Sequence, residues 1–253
     1  NYPFKLCCHG EHQLNRRDFC YSMFALPAAT SAASRLAAGQ EPASITPKTW
    51  DASHSIRFVI RDVLEHPFYW WPKTLLTYPI EFKQLVELNR LVLTRVDTGE
   101  NIPIQFSEVK KDQNGLQTAT LNFFSDLPSG ASREFVLSLG SPAAYKPEVS
   151  EHREGNTIVL DSGAVRVRIP ATQLVHGSAP GPLMQFSRAE KWFGSSVLNF
   201  DGDHVTRITT SRIEHGPLFL TYEISYETAN SSRYIARVQC TAGLDFIHFQ
   251  EDM

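Results

Sequence analysis

Apolar residues recur at every second position through much of this 253-residue chain, and that period constrains its fold more than any other feature. Ile56, Phe58 and Ile60 alternate with Arg57, Val59 and Arg61; Ile102, Ile104 and Phe106 alternate with Pro103, Gln105 and Ser107. Successive side chains of an extended chain point to opposite faces, so period two with one apolar face marks a half-buried strand. Phe135, Leu137 and Leu139 repeat the pattern. So do Val165, Val167 and Ile169, set against Arg166 and Arg168, whose charges are expected to face solvent or a neighbouring carboxylate. Turn chemistry punctuates the runs at residues 97–101, 112–115, 128–130 and 161–163, where Gly and Asn tolerate positive φ and Pro presets a turn position. This spacing predicts an all-β chain of β-sandwiches in preference to a βαβ fold. One segment of the first half, residues 81–91, also suits a helix, although its Val, Phe and Leu content leaves it ambiguous.

A composition shift at residues 141–155, with Pro142, Pro147 and a charged run over 148–154, reads as a linker. The expected organisation is an N-terminal β-sandwich over residues 50–140 and a second, larger antiparallel β-sandwich domain over 156–253. Residues 1–39 read as a leader and 40–49 as a link. No solenoid-type repeat is visible. Residues 218–228, 233–241 and 244–253 read as three successive strands. The last carries Asp245-Phe246-Ile247-His248-Phe249, an apolar run that would lie on an uncovered sheet edge. The expectation is therefore a longer protein, truncated within or just after its second β-domain.

The first forty residues have a different character. A basic start with Lys5, Arg16 and Arg17 leads into an uncharged stretch over 19–34, and small residues follow at Ser31-Ala32-Ala33 and Ala37-Ala38-Gly39. Arg16 and Arg17 with Phe19 resemble the bacterial twin-arginine export motif, an address read by a receptor. The resemblance implies the twin-arginine export machinery as a partner and a periplasmic or extracellular destination. The apolar part is about fifteen residues, shorter than the roughly twenty that span a bilayer, and Pro27 interrupts it, so no permanent membrane span is expected. The competing reading is an amphipathic helix at a domain edge that happens to begin with two arginines.

Cys7, Cys8 and Cys20 all fall in this leader, so Cys240 alone remains to the rest of the chain. One cysteine makes no internal disulfide and no cysteine-based zinc site. Loss of a leader carrying four cations and two anions takes the net charge from −3 to −5. A mildly acidic chain of this kind has no basic footprint for nucleic acid.

Glu65-His66-Pro67-Phe68-Tyr69-Trp70-Trp71-Pro72 holds the densest aromatic cluster. Tyr69, Trp70 and Trp71 are candidates for carbohydrate contact, since exposed rings offer apolar planes to sugar faces. The favoured alternative is that these rings close a sandwich core or pack between domains. Arg188, Glu190 and Trp192 form a second candidate: they alternate, so an extended strand would place a cation, a carboxylate and a ring on one face. A surface ion pair beside a buried ring is the blander and preferred reading. The histidines lack metal-site spacing, Asp201-Gly202-Asp203 reads as a turn, and no metal site or cofactor is called. Neither a nucleophile elbow nor a phosphate-binding or dinucleotide-binding glycine loop occurs. Catalytic residues stay unassigned, because the carboxylate pair of a glycosidase is defined by its separation in space.

Trp70-Trp71-Pro72, residues 125–130 (SDLPSG) and residues 156–167 (NTIVLDSGAVRV), following an export leader, are similar to the N-terminal parts of large secreted carbohydrate-active enzymes. The likeness is to the rhamnogalacturonan-lyase-like group and, more distantly, to the β-rich regions of α-mannosidase-type hydrolases. The resemblance implies the accessory β-region of a polysaccharide lyase or glycoside hydrolase, with polysaccharide or oligosaccharide as partner and the catalytic part downstream. The alternative is a noncatalytic carbohydrate-binding or adhesive surface protein.

Overall fold

The computed structural model describes residues 48–50 (backbone only), 55–62, 67–68, 70–113, 115–188 and 190–252. The proposed leader with Arg16 and Arg17, and Tyr69 of the aromatic cluster, lie outside the described residues. The described chain is nearly all β, in several antiparallel sheets that pack as sandwiches. Among the described residues no helix is long and apolar enough to cross a membrane.

Eight strands make the first sandwich: β1 (Lys48–Trp50), β2 (Ile56–Arg61), β3 (Trp71–Phe82), β4 (Leu91–Arg95), β5 (Asn101–Ile102), β6 (Ile104–Lys111), β7 (Gln117–Leu127) and β8 (Ser132–Leu139). One sheet runs β1-β3-β7-β6 and the other β2-β8-β4-β5. All pairings are antiparallel except β1 with β3, which is parallel. The alternation read from the sequence is visible in β2, where Ile56 and Phe58 are buried and Arg57 and Val59 exposed. Phe58, Ile80, Phe82, Leu93, Leu121, Phe123, Phe135 and Leu137 close the core between the two sheets.

Residues 81–91 do not form an α-helix. The Val86 amide donates to Gln117 Oε1 at 2.9 Å, which holds the segment against β7, and only a single 3₁₀ turn forms, at Leu88–Arg90. The side-chain amide of a buried glutamine thus takes over a backbone donor that a helix would have satisfied internally.

A second core lies within the same compact unit. The first strands around it are β9 (Ser150–Glu154), β10 (Thr157–Asp161), β11 (Arg166–Pro170), β12 (Gln173–Leu174), β13 (Ala179–Pro180) and β14 (Gln185–Arg188). They are followed by β15 (Lys191–Phe193), β16 (Val197–Leu198), β17 (Val205–His215), β18 (Phe219–Thr228), β19 (Arg233–Thr241) and β20 (Ile247–Asp252). The facing sheets are β15-β14-β11-β10-β9 and β12-β17-β18-β19-β20, with β13 and β16 as a separate pair. Leu160, Val167, Ile169, Ile208, Ile224, Tyr226 and Val238 fill the space between them. The expected linker is shorter than the sequence suggests: Val149 is buried in this core and the charged residues 150–154 form β9. A charge-rich strand suits that position, because β9 is the edge of its sheet.

The two cores meet across a polar strand face. Ile104 and Phe106 turn toward the first core, whereas Gln105 and Ser107, which the alternation would leave to solvent, are buried. Gln105 Oε1 accepts from the amides of Leu218 and Phe219, each at 3.1 Å, and its Nε2 donates to the Phe219 carbonyl at 3.1 Å. The Asn122 side-chain amide braces the strand by donating to Gln105 O at 3.0 Å and Ser107 Oγ at 2.9 Å. Phe124, on the same outward face of β7, packs against the second core. Gly216 passes so close that an added Cβ would stand 2.8 Å from Gln105 Cγ and closer still to its carboxamide.

Gly216→Ala and Gln105→Ala are each expected to cost roughly 1–3 kcal/mol, by overpacking and by orphaning buried backbone groups respectively. Because both act on one contact, the double variant should cost less than the sum in urea unfolding. Cys240 is wholly buried, and burial foremost, with Asp161 nearby, pushes its thiol up to about 12. Iodoacetamide labelling mapped by mass spectrometry should find Cys240 unreacted in the native protein and modified in denaturant.

Candidate functional site

The aromatic cluster occupies one end of the first sandwich, where β2 ends, β3 begins and the β7–β8 turn crosses. Phe68 and Trp70 are 91% and 60% exposed and Trp71 is 37% exposed, so the described rings of this cluster lie outside the core. Their orientation is fixed from beneath. Trp70 Nε1 donates to Asp126 Oδ2 at 3.3 Å, and Trp71 Nε1 donates to Asp62 Oδ1 at 3.2 Å. Asp126 is also paired with Arg133 at 2.9 Å. Asp62, itself buried, accepts from the Gly130 amide at 2.9 Å, while its own amide donates to the Ala131 carbonyl. Gly130 has φ +65°, a conformation that glycine reaches without strain, and the turn it forms brings its amide to Asp62. Sequence reasoning found the rings and missed the carboxylates: Asp126 is 56 residues away from Trp70, on β7, and Asp62, nine residues before Trp71, follows a different strand, β2.

Arg188, Glu190 and Trp192 do not share one extended face. They straddle a hairpin in which β14 pairs with β15, Ser187 opposite Trp192 and Arg188 opposite Lys191. Glu190 sits in the turn with φ +66°. Chain reversal there puts Trp192 beside β11, whose Arg166 is in register with Ser187. The Arg168 guanidinium lies 3.9 Å from the centre of the Trp192 ring and that of Arg166 5.5 Å, close enough for cation–π attraction. Arg166 pairs with Glu190 at 2.8 Å and Arg168 with Glu154 at 2.8 Å. Arg168 also donates to Gln185 Oε1 at 2.8 Å. Arg188 points elsewhere, 4.0 Å from Asp245. The arginines thus face carboxylates, as their alternation with Val167 and Ile169 suggested. With two guanidinium groups against the ring and Arg166, Arg168 and Arg188 each near a carboxylate, this patch is a braced sheet surface.

His152 Nε2 lies 3.0 Å from Glu154 Oε1. This contact first, and Arg168 second, hold the Glu154 carboxyl below the usual carboxylate range. The opening at the junction of the two cores has a volume of about 260 Å³ and is walled by Leu88, Leu91, Ile102, Ile104, Phe106 and Pro217. Its polar lining is Asn89, Gln105, Tyr145 and His215, and no Asp or Glu lines it. The Tyr145 hydroxyl is turned away to donate to the Asn101 carbonyl at 2.8 Å. Among the described residues no three His, Cys, Asp or Glu side chains are grouped as metal ligands. Asp201-Gly202-Asp203 forms a turn closed by a bridge between Phe200 and Asp203.

No protein-family model matches this chain, and no curated protein matches it.

Carbon-detected NMR should show Glu154 titrating below ordinary glutamate, and His152→Ala should move its midpoint upward. A depressed folded-state pKa contributes stability above the unfolded value and loses it as pH falls through the folded one, so the contribution of the Glu154 carboxylate is lost on acidification.

Proposed function

We propose that this chain is a glycan-binding β-region of an exported, polysaccharide-directed protein, serving a lyase or glycoside hydrolase whose chemistry is carried elsewhere. The observation that carries the reading is the pair of neighbouring indoles, Trp70 and Trp71, exposed at a sandwich end with both N–H groups tied down. Tryptophan presents a large apolar face with a polar handle, and in Trp70 the handle is used for anchoring while most of the residue stays exposed. The C–H groups of a pyranose ring carry partial positive charge and are attracted to the electron-rich face of an indole.

Binding without turnover is supported by the carboxylates at this end. Hydrolysis of a glycosidic bond commonly calls on two carboxyl groups flanking the substrate. Asp62 and Asp126, by contrast, have both oxygens engaged by indole, backbone or arginine donors. The leader that resembles a twin-arginine signal supports an exported setting.

Titration with pectic and neutral oligosaccharides, followed by tryptophan fluorescence and calorimetry, tests the reading. A saturable change is expected with at least one glycan, and Trp70→Ala and Trp71→Ala should each weaken it by about tenfold or more, as loss of an aromatic anchor does. No saturable signal with any glycan, or full affinity in both variants, sinks the proposal.

A further inference from the structure

The opening at the junction of the two cores draws its apolar wall from separate segments: Leu88 in the 3₁₀ turn, Ile102 on β5, Ile104 and Phe106 on β6, and Pro217 just before β18. These segments are tied to the chain that leaves β8. The Gly140 amide donates to the Arg90 carbonyl at 2.9 Å, and the Tyr145 hydroxyl donates to the Asn101 carbonyl at 2.8 Å. Concave, mostly apolar sites with a few placed polar groups favour such junctions. An apolar cavity of about 150 Å³ admits benzene. The opening here, at about 260 Å³, has room for a ring with a short substituent.

Its lining also selects by charge. No Asp, Glu, Lys or Arg contributes to it; His215 lies exposed at the margin, and the Tyr145 hydroxyl is committed to Asn101. An ionised ligand would give up hydration there and meet no fixed counter-charge. Gln105, only 5% exposed, is the buried polar member of the wall. Its Oε1 is filled by the amides of Leu218 and Phe219, and its Nε2 donates to the Phe219 carbonyl. A carboxamide nitrogen carries two hydrogens. Among the described residues the second N–H of Gln105 meets no acceptor, although a buried donor is costly to leave unmade.

We propose that this opening binds a small uncharged ligand with an apolar body about one ring in size and a carbonyl-type oxygen, the oxygen accepting the second N–H of Gln105. The site is independent of the glycan-binding reading, since its lining shares no residue with the aromatic end of the first sandwich.

NMR titration of the full chain with acetophenone, ethylbenzene and benzoate tests the proposal, reading the methyl signals of Leu88, Ile102 and Ile104 together with the side-chain ¹H–¹⁵N pair of Gln105. Acetophenone should shift the methyl signals saturably and move one Gln105 N–H signal downfield. Ethylbenzene, which has the same shape without the oxygen, should bind about 3- to 10-fold more weakly and produce no downfield shift. Benzoate should bind at least about tenfold more weakly than acetophenone. Leu88→Trp, which fills the opening, should abolish acetophenone binding while the protein keeps a cooperative melt. The Gln105 signals of the native chain carry the test even where that variant fails to fold. No saturable methyl shift with any probe leaves water as the sole occupant and overturns the site, as does undiminished acetophenone binding in a folded Leu88→Trp. Equal affinity for acetophenone and ethylbenzene overturns the role given to Gln105, and benzoate binding as tightly as acetophenone overturns the selection for uncharged ligands.

Discussion

One buried carboxamide joins the two halves of this structure. Gln105 projects from a strand of the first sandwich and bonds the backbone of Leu218 and Phe219 at the start of β18, the middle strand of one of the second sandwich's two five-stranded sheets. The contact copies the backbone pattern of a strand pair, with two amides and one carbonyl satisfied by a single side chain. Buried polar groups are costly when unpaired and nearly neutral when paired. The outward face of the first sheet can therefore carry Gln105, Ser107 and Asn122 at an interface only because each has its partners. Gly216 is the local condition for this arrangement, since any side chain there would displace the carboxamide.

Much of the architecture is legible in the sequence because burial in a sandwich alternates with the pleat. β2, β8, β11, β18 and β19 fall where period two places them, and Gly99, Gly115, Gly130 and Gly163 adopt the positive φ that their turns imply. What escapes is long-range and polar. Gln105 and Ser107 look like solvent-facing strand positions, and nothing near Gln105 in sequence signals its partner more than a hundred residues away. Residues 81–91 have the composition of a short helix, but the tertiary contact of Val86 with Gln117 overrides it. The turn at Glu190 lacks glycine or asparagine, so the strand pattern runs through it unbroken and places Arg188, Glu190 and Trp192 on one face that does not exist.

The two aromatic candidates differ in how their rings are used. Trp192 is embraced by guanidinium groups that are themselves neutralised by Glu154 and Glu190, so its ring face and its charges are spent within the protein. At the sandwich end the bonding is reversed: the polar edges of Trp70 and Trp71 are bonded to carboxylates, and Trp70 stays 60% exposed. Residue type alone ranks these sites equally, and the separation comes from which part of each indole is occupied.

An indole fixed by its N–H while most of the residue stays exposed, as Trp70 is, has a thermodynamic consequence. The ordering of that side chain is completed when the sandwich folds, and the exposed part of the ring keeps its hydration until something covers it. Whatever settles there releases that water and lowers the heat capacity of the system, a signature set by apolar area and largely indifferent to the polar details of the visitor. The folded end of the first sandwich therefore holds in reserve a hydrophobic contribution that folding has left unused.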